Sequence, residues 1–420
     1  MLGSLQASSI IFILSESMKY SGGFVLSLLP ILVTAQPTSG LGLRQDSSEL
    51  KPLDMPIKII QTYYTIQLPL GTPPQPVDLL FDTGSGPLWV LNPECAVNCP
   101  SSYKFTRSFF NPNASSTAQS ASLRETVDYL GGVISGDVWS DKLTIQNTTF
   151  STPQRFINAD TSNWSSMAAG GFVGLGFRTL ALGNTSIYDS LFHPTNLPDH
   201  RTGIYLGGAK DTSSNPSPQT NGVVTFGGSH ENKYGSEPLK WIDVLPASSG
   251  QQYELWVVPI NGVKTSRYSA TGLNETTLPS QAGATAIFDT GASLISVPQS
   301  IIGDLFNTLG FNYTAISHGY RPPCSEVATY NASLTLTLGE VEITVTTDDL
   351  SNPGYTADEY CWPPFTPWDS PNWLVGKLFL ESFYSVWDLG GWNVSEVGDG
   401  QPRIGFSYLK EEYKPRLQVV

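Results

Sequence analysis

The sequence predicts an all-β fold built as two duplicated lobes, on three observations. First, the ten residues Phe81-Asp82-Thr83-Gly84-Ser85-Gly86-Pro87-Leu88-Trp89-Val90 nearly recur as Phe288-Asp289-Thr290-Gly291-Ala292-Ser293-Leu294-Ile295-Ser296-Val297. Each copy sets one Asp after a short apolar run, follows it with Thr-Gly, and returns to apolar residues. Second, Gly (39) and Pro (31) are plentiful while charged residues make up only 14% of the chain, a composition that fits short strands and tight turns better than helices. Third, stretches such as Tyr64-Thr65-Ile66-Gln67-Leu68 and Leu334-Thr335-Leu336-Thr337-Leu338 alternate with the period of two that a half-buried strand requires.

Taken in order, the chain opens with a basic start at Met18-Lys19-Tyr20, a short apolar stretch from Phe24 to Val33, and the small residues Val33-Thr34-Ala35 before Gln36. Residues 1–35 therefore read as a secretory signal, too short to span a membrane. Translation from Met18, or an extension of the signal through Ile10 to Leu14, both fit its late apolar region. Residues 36–56 are polar and contain Pro; a loose amino-terminal tail and a short pro-segment are both open. A first lobe is expected over 57–215 and a second over 216–410, joined near the Ser-, Asn- and Pro-rich stretch Asp211 to Gln219. Helical periodicity is rare, Ser300 to Leu309 being one short candidate. Residues 411–420 form a charged tail with no apolar anchor.

A chain of 420 residues can hold two domains with a substantial core each. Its net charge of −14 argues against nucleic acid as a partner, since a phosphate backbone would be repelled. The same low charge density suits an acidic medium, because fewer carboxylates must be protonated in the folded state. The four Cys fall into two groups, Cys95/Cys99 and Cys324/Cys361, without zinc-site spacing, and His is scarce at four. Four Cys allow three connectivities; two disulfides, Cys95–Cys99 and Cys324–Cys361, are preferred because each group sits within one expected lobe. Asn-x-Ser/Thr sequons begin at Asn113, Asn147, Asn163, Asn184, Asn274, Asn312, Asn331 and Asn393, and with a signal they favour a glycosylated, secreted product.

Two matching carboxylates, one from each half of the chain, point to a single acid pair. Peptide hydrolysis without a metal or a covalent intermediate needs a base to activate water and an acid to protonate the departing nitrogen. Two carboxyls about 3 Å apart can do both, because like charges that close share a proton. Asp82 and Asp289 would then titrate as a coupled pair. Thr83 and Thr290 supply hydroxyls, and Gly84 and Gly291 allow the tight backbone turn. One Asp-Thr-Gly is a weak signal; two, each flanked by apolar strands, are a strong one.

These residues resemble the pepsin-like aspartic proteases, and in general character the fungal secreted type, from about Tyr63 to Leu409. The strand and turn Tyr64 to Gln75, the segments Phe172-Val173-Gly174-Leu175-Gly176 and Trp373-Leu374-Val375-Gly376, and the closing strands Phe383 to Asp388 and Ile404 to Phe406 all match that family's pattern. The resemblance implies a bilobal fold of two β-barrel-like lobes with the active-site cleft between them. It implies an acid endopeptidase acting on extended polypeptides, with bulky apolar residues preferred, Asp82 and Asp289 catalytic, and Ser85 bonded to the first carboxylate. It also implies a flap hairpin over Val127 to Gly136, with Tyr129 at its tip, Leu130 and Gly131 beside the substrate, and Trp89 behind it. No cofactor or metal, no nucleic acid and no membrane anchor are expected, and a secreted monomer, with the vacuole as a second destination, fits the whole.

Four departures stand out. Leu130 and Gly131 follow the flap Tyr in place of Gly and a small polar residue or Asp, which argues against a marked preference for Lys. Ala292 replaces the Ser or Thr that usually bonds the second carboxylate, so ionisation of the pair should be less favourable and activity should move toward less acidic pH. Lys377 stands where the family often has an acidic residue, and no catalytic consequence is read from it. The amino-terminal segment is short and its only basic residues are Arg44, Lys51 and Lys58, which puts the usual charge-gated zymogen in doubt. A catalytically silent binding or inhibitory protein on the same fold is the alternative, though such proteins usually lose an Asp or a Thr-Gly turn that this chain keeps. A two-carboxylate glycosidase would need a wider pair or a different scaffold.

Overall fold

The two Asp strands sit at the centre of nearly identical local topologies, one in each half. In the computed structural model, residues 51–415 are described except for 61–62, 102–105, 147, 166, 193–196, 208–220, 249, 251, 271, 281, 354–359 and 392–399. The signal region, the stretch from Asp211 to Gln219 and the sequons at Asn147 and Asn393 lie outside the described residues.

In the first half, Gln75–Asp82 runs parallel to Gly171–Gly174, with Gly174 opposite Asp82. Gly171–Gly174 is antiparallel to Leu88–Leu91, which in turn runs parallel to Gln154–Ser162. In the second half, Thr285–Phe288 runs parallel to Trp373–Val375, which is antiparallel to Ile295–Pro298, itself parallel to Phe365–Trp368. The repeated decapeptide is thus the strand-loop-strand centre of a repeated sheet. Because these central strands are covered on both faces they read as continuous apolar runs; all four residues of Leu88–Leu91 are buried. Strands farther out alternate more: Leu334, Leu336 and Leu338 are fully buried, Ser333 and Thr337 are partly exposed, and Thr335 between them is buried.

A third sheet joins the halves. Its strands run in the order Leu53–Pro56, Asn221–Phe226, Arg201–Gly207, Phe383–Asp388, Arg403–Tyr408 and Lys240–Asp243. Leu53–Pro56, at the end of the segment read as tail or pro-segment, is a paired strand there, with Leu53 and Met55 inward and Asp54 and Pro56 outward. Lys58 is committed to an ion pair with Asp78 at 2.9 Å.

The halves also meet at a buried point after the segment 172–176. The Trp256 indole N–H donates to the Leu175 carbonyl at 2.7 Å, Phe177 N–H donates to Glu254 O at 3.1 Å, and the Phe177 and Trp256 rings lie 4.7 Å apart. The helix expected from Ser300 begins at Ile302 and ends at Leu309, where Gly310 adopts φ 104° and its N–H caps the last carbonyls. Both disulfides form within their groups, Cys95–Cys99 and Cys324–Cys361. The Arg107 guanidinium locks the smaller loop through the carbonyls of Cys95 (2.9 Å), Ala96 (3.0 Å) and Cys99 (2.8 Å). Among the described residues no helix is long and apolar enough to cross a membrane.

Candidate active site

The two Asp loops are bound to each other by a reciprocal lattice of four hydrogen bonds. Thr83 N–H donates to the Thr290 hydroxyl (3.1 Å) and Thr290 N–H to the Thr83 hydroxyl (3.0 Å). Each hydroxyl then donates across the divide, Thr83 to Phe288 O (2.9 Å) and Thr290 to Phe81 O (2.8 Å). Thr83 and Thr290 are each 1% exposed, so every one of these bonds replaces hydration the groups have lost.

That lattice fixes the carboxyls above it. Gly84 N–H donates to Asp82 Oδ1 (2.9 Å), and Gly291 N–H to Asp289 Oδ1 (2.7 Å). A Cβ on Gly84 would lie 2.5 Å from Asp289 Oδ2, and one on Gly291 would lie 2.5 Å from Asp82 Oδ1. Each carboxyl therefore occupies the space above the opposite glycine, which is why only glycine fits at either place.

The two acids differ in their support. The Ser85 hydroxyl donates to Asp82 Oδ2 at 2.6 Å. Asp289, followed by Ala292 at the matching position, keeps backbone support alone. Burial, then the charge of Asp82, then a hydrogen bond with that carboxyl hold the Asp289 proton well above the usual carboxylate range. The two carboxyls therefore titrate as a unit, with Asp289 held toward its protonated form by burial and by its neighbour.

The hairpin Gln119–Tyr129 and Gly132–Asp141 turns at Leu130-Gly131, with Tyr129 opposite Gly132. Leu130 projects outward, 76% exposed. Tyr129 packs against Phe172 (centroids 5.4 Å), Trp164 (5.7 Å) and Trp89 (6.4 Å). Burial and then the nearby Asp82 charge hold its hydroxyl well above the usual tyrosine range. Trp89 and Tyr129 meet ring to ring, and the Tyr129 hydroxyl lies within reach of the Ser85 and Trp89 side chains.

Sequence reasoning missed three contributors. Trp164 was read only as the middle of a sequon, yet a Cβ on Gly131 would fall 2.4 Å from its ring, so it buttresses the hairpin turn. The Asn163 side chain of the same sequon accepts from Val133 N–H at 2.6 Å. Tyr64, read as a strand residue, reaches Glu381 across the two halves, its hydroxyl donating at 2.8 Å. None of these carries a motif; a bulky aromatic in the loop after Ser162 was the one available hint. Of the other sequons, Asn113, Asn274 and Asn331 are exposed, Asn312 caps a short helix, and Asn184 lies in a 3-10 turn.

Two duplicated sheets that hold one buried, proton-sharing carboxyl pair under a hairpin define an aspartic endopeptidase. A family described as Eukaryotic aspartyl protease matches residues 63–397. The chain is 28% identical to cathepsin E of Mus musculus over 361 residues, 82% of this chain and 81% of that protein. It is 28% identical to embryonic pepsinogen of Gallus gallus over 344 residues (81% and 79%) and 29% identical to gastricsin of Cavia porcellus over 346 (80% and 79%). The chain belongs to the eukaryotic aspartyl protease family.

Proposed function

We propose that the chain is a secreted acid endopeptidase that cleaves extended polypeptides beside bulky apolar residues, using Asp82 and Asp289 as its catalytic pair. The observation that carries this reading is the interlocked loop geometry, in which each carboxyl fills the space over the opposite glycine and burial holds Asp289 above the usual carboxylate range. In the proposed reaction a water between the carboxyls loses a proton to Asp82 as its oxygen bonds to the scissile carbonyl carbon. Asp289 gives its proton to the carbonyl oxygen. Collapse of the tetrahedral intermediate breaks the C–N bond, with the departing nitrogen taking the proton from Asp82 and Asp289 regaining its own.

An extended substrate suits a cleft between two sheets, where main-chain hydrogen bonds supply affinity and alternate side chains enter pockets. The exposed Leu130 at the hairpin tip offers an apolar contact and no carboxylate, which supports apolar residues over Lys. The signal-like start, two disulfides and exposed sequons support export.

The test is cleavage of a mixed peptide library by purified protein from acidic to neutral pH, beside Asp82→Asn and a statine-type inhibitor. Cleavage lost in both controls, with apolar residues flanking the cut, is the expected result. Folded, correctly processed protein that cleaves nothing at any pH would turn the reading to a silent binding protein on this fold.

A further inference from the structure

Behind the second Asp loop lies a buried charge that the proposed reaction does not use. The residues just after Asp289-Thr290-Gly291 are stitched to the start of the short helix Lys377–Leu380: Lys377 N–H donates to Ala292 O (2.8 Å), Leu378 N–H to Ser293 O (3.1 Å) and Gly376 N–H to Leu294 O (3.1 Å). Lys377 is 4% exposed, and its ammonium lies over the Tyr64 ring, 4.7 Å from the centroid. Tyr64 belongs to the strand paired directly with the Asp82 strand, and its hydroxyl donates to Glu381 one turn beyond Lys377. The cation is therefore seated where both lobes meet.

We propose that Lys377 is a positioning residue for the aspartyl pair: its buried ammonium, seated on Tyr64 and facing Glu381, favours the charged form of Asp82–Asp289 where Ala292 offers no hydroxyl. This rests on the reading of those two Asp as the catalytic pair. Among the described residues, the charges acting on the ammonium include Glu381 from its own helix and Asp289 and Asp82 from the two loops, while Tyr64 of the first lobe carries it on its ring. The strand Trp373–Val375 brings none, and on Phe383–Asp388 the Tyr384 hydroxyl accepts from His230 N–H while Asp388 is paired with Arg201 and Arg403. Burial lowers Lys377 to about 8, against the pull of Glu381, Asp289 and Asp82. At acidic pH it is therefore a constant positive charge rather than a switch. A cation near a carboxyl pair lowers both of its ionisation steps, so removing it should raise both.

The experiment compares the pH dependence of kcat/KM for the wild type, Lys377→Met, Lys377→Arg and Asp82→Asn on one peptide. Lys377→Met should move both limbs of the profile upward by about one unit, and Lys377→Arg should restore the wild-type profile. Turnover surviving in Asp82→Asn would sink the underlying assignment of the pair. An inactive Asp82→Asn together with a Lys377→Met profile that superimposes on the wild type, or a Lys377→Arg profile displaced equally far, would overturn this inference alone. If Lys377→Met does not fold, Lys377→Gln supplies a second uncharged variant: the same upward shift is expected, and an unmoved profile rejects the proposal.

Discussion

The Asp82 and Asp289 loops share a backbone plan and diverge in how each acid is supported. The first has the Ser85 hydroxyl on its carboxylate and the aromatic group of Trp89, Phe172 and Tyr129 over it. The second has Ala292, no hydroxyl, and a buried cation behind it. The lesson is that duplication supplies two equal carboxyls, and that local asymmetry then gives them unequal surroundings.

The comparison breaks most completely at the glycines. Gly84→Ala or Gly291→Ala places a methyl about where the opposite carboxyl stands, which should remove activity by about 10³-fold or more; single-turnover assays on folded protein check this. A variant that keeps near wild-type turnover would mean that the loops yield freely and that the interlock is incidental.

The disulfides contrast the lobes next. Cys324–Cys361 spans 37 residues and Cys95–Cys99 only 4. Loop-closure entropy then gives losses of about 4 and about 2 kcal/mol for the paired Ala variants, read by denaturant unfolding. A larger loss at the short loop would credit the Arg107 lock with more than the crosslink.

Thr83→Val and Thr290→Val each leave two buried partners without a bond, for an expected cost of about 1–3 kcal/mol apiece. Because the two residues share one lattice, the double variant should cost less than the sum, and additivity in that cycle would show that the loops are independent.

The asymmetry of the acids is sharpened by exchanging their neighbours. Ala292→Ser adds a donor to the second carboxylate and should move the acidic limb of the pH profile down by about one unit, while Ser85→Ala should move it up by a similar amount. If both leave the limb where it is, the hydroxyls are not what separates the two acids.

The smallest effect is on stability. The Asp289 pKa is raised in the fold, so its contribution is fully present below the unfolded carboxyl value and is lost as pH rises through the folded one. Asp289→Asn should therefore raise Tm at neutral pH and leave it little changed in acid. An equal shift at both would contradict the protonated assignment.

Much of the site could be read before any coordinates, and the reason is local. An Asp-Thr-Gly turn is specified by consecutive residues: the Thr supplies a hydroxyl, the Gly admits a close approach, and apolar strands on either side bury the loop. The Tyr129 hairpin came from the family resemblance, and the Cys pairs from each group lying within one expected lobe. Trp164, Tyr64 and Glu381 were not legible, because each acts through a partner far away in the chain; Tyr64 and Glu381 are separated by 317 positions.

By itself, the sequence determined that there are two halves, two matched acids and alternating strands around them, since alternation, turn residues and a repeated motif are short-range properties. Tertiary structure alone decided that Leu53–Pro56 and Arg403–Tyr408 share a sheet, that burial holds Asp289 above the usual carboxylate range, and that the Lys377 ammonium is buried against Tyr64. Those outcomes depend on burial and on charges brought together through space. A carboxyl or an ammonium responds to the dielectric and the neighbours that folding gives it, and neither is written beside it in the chain.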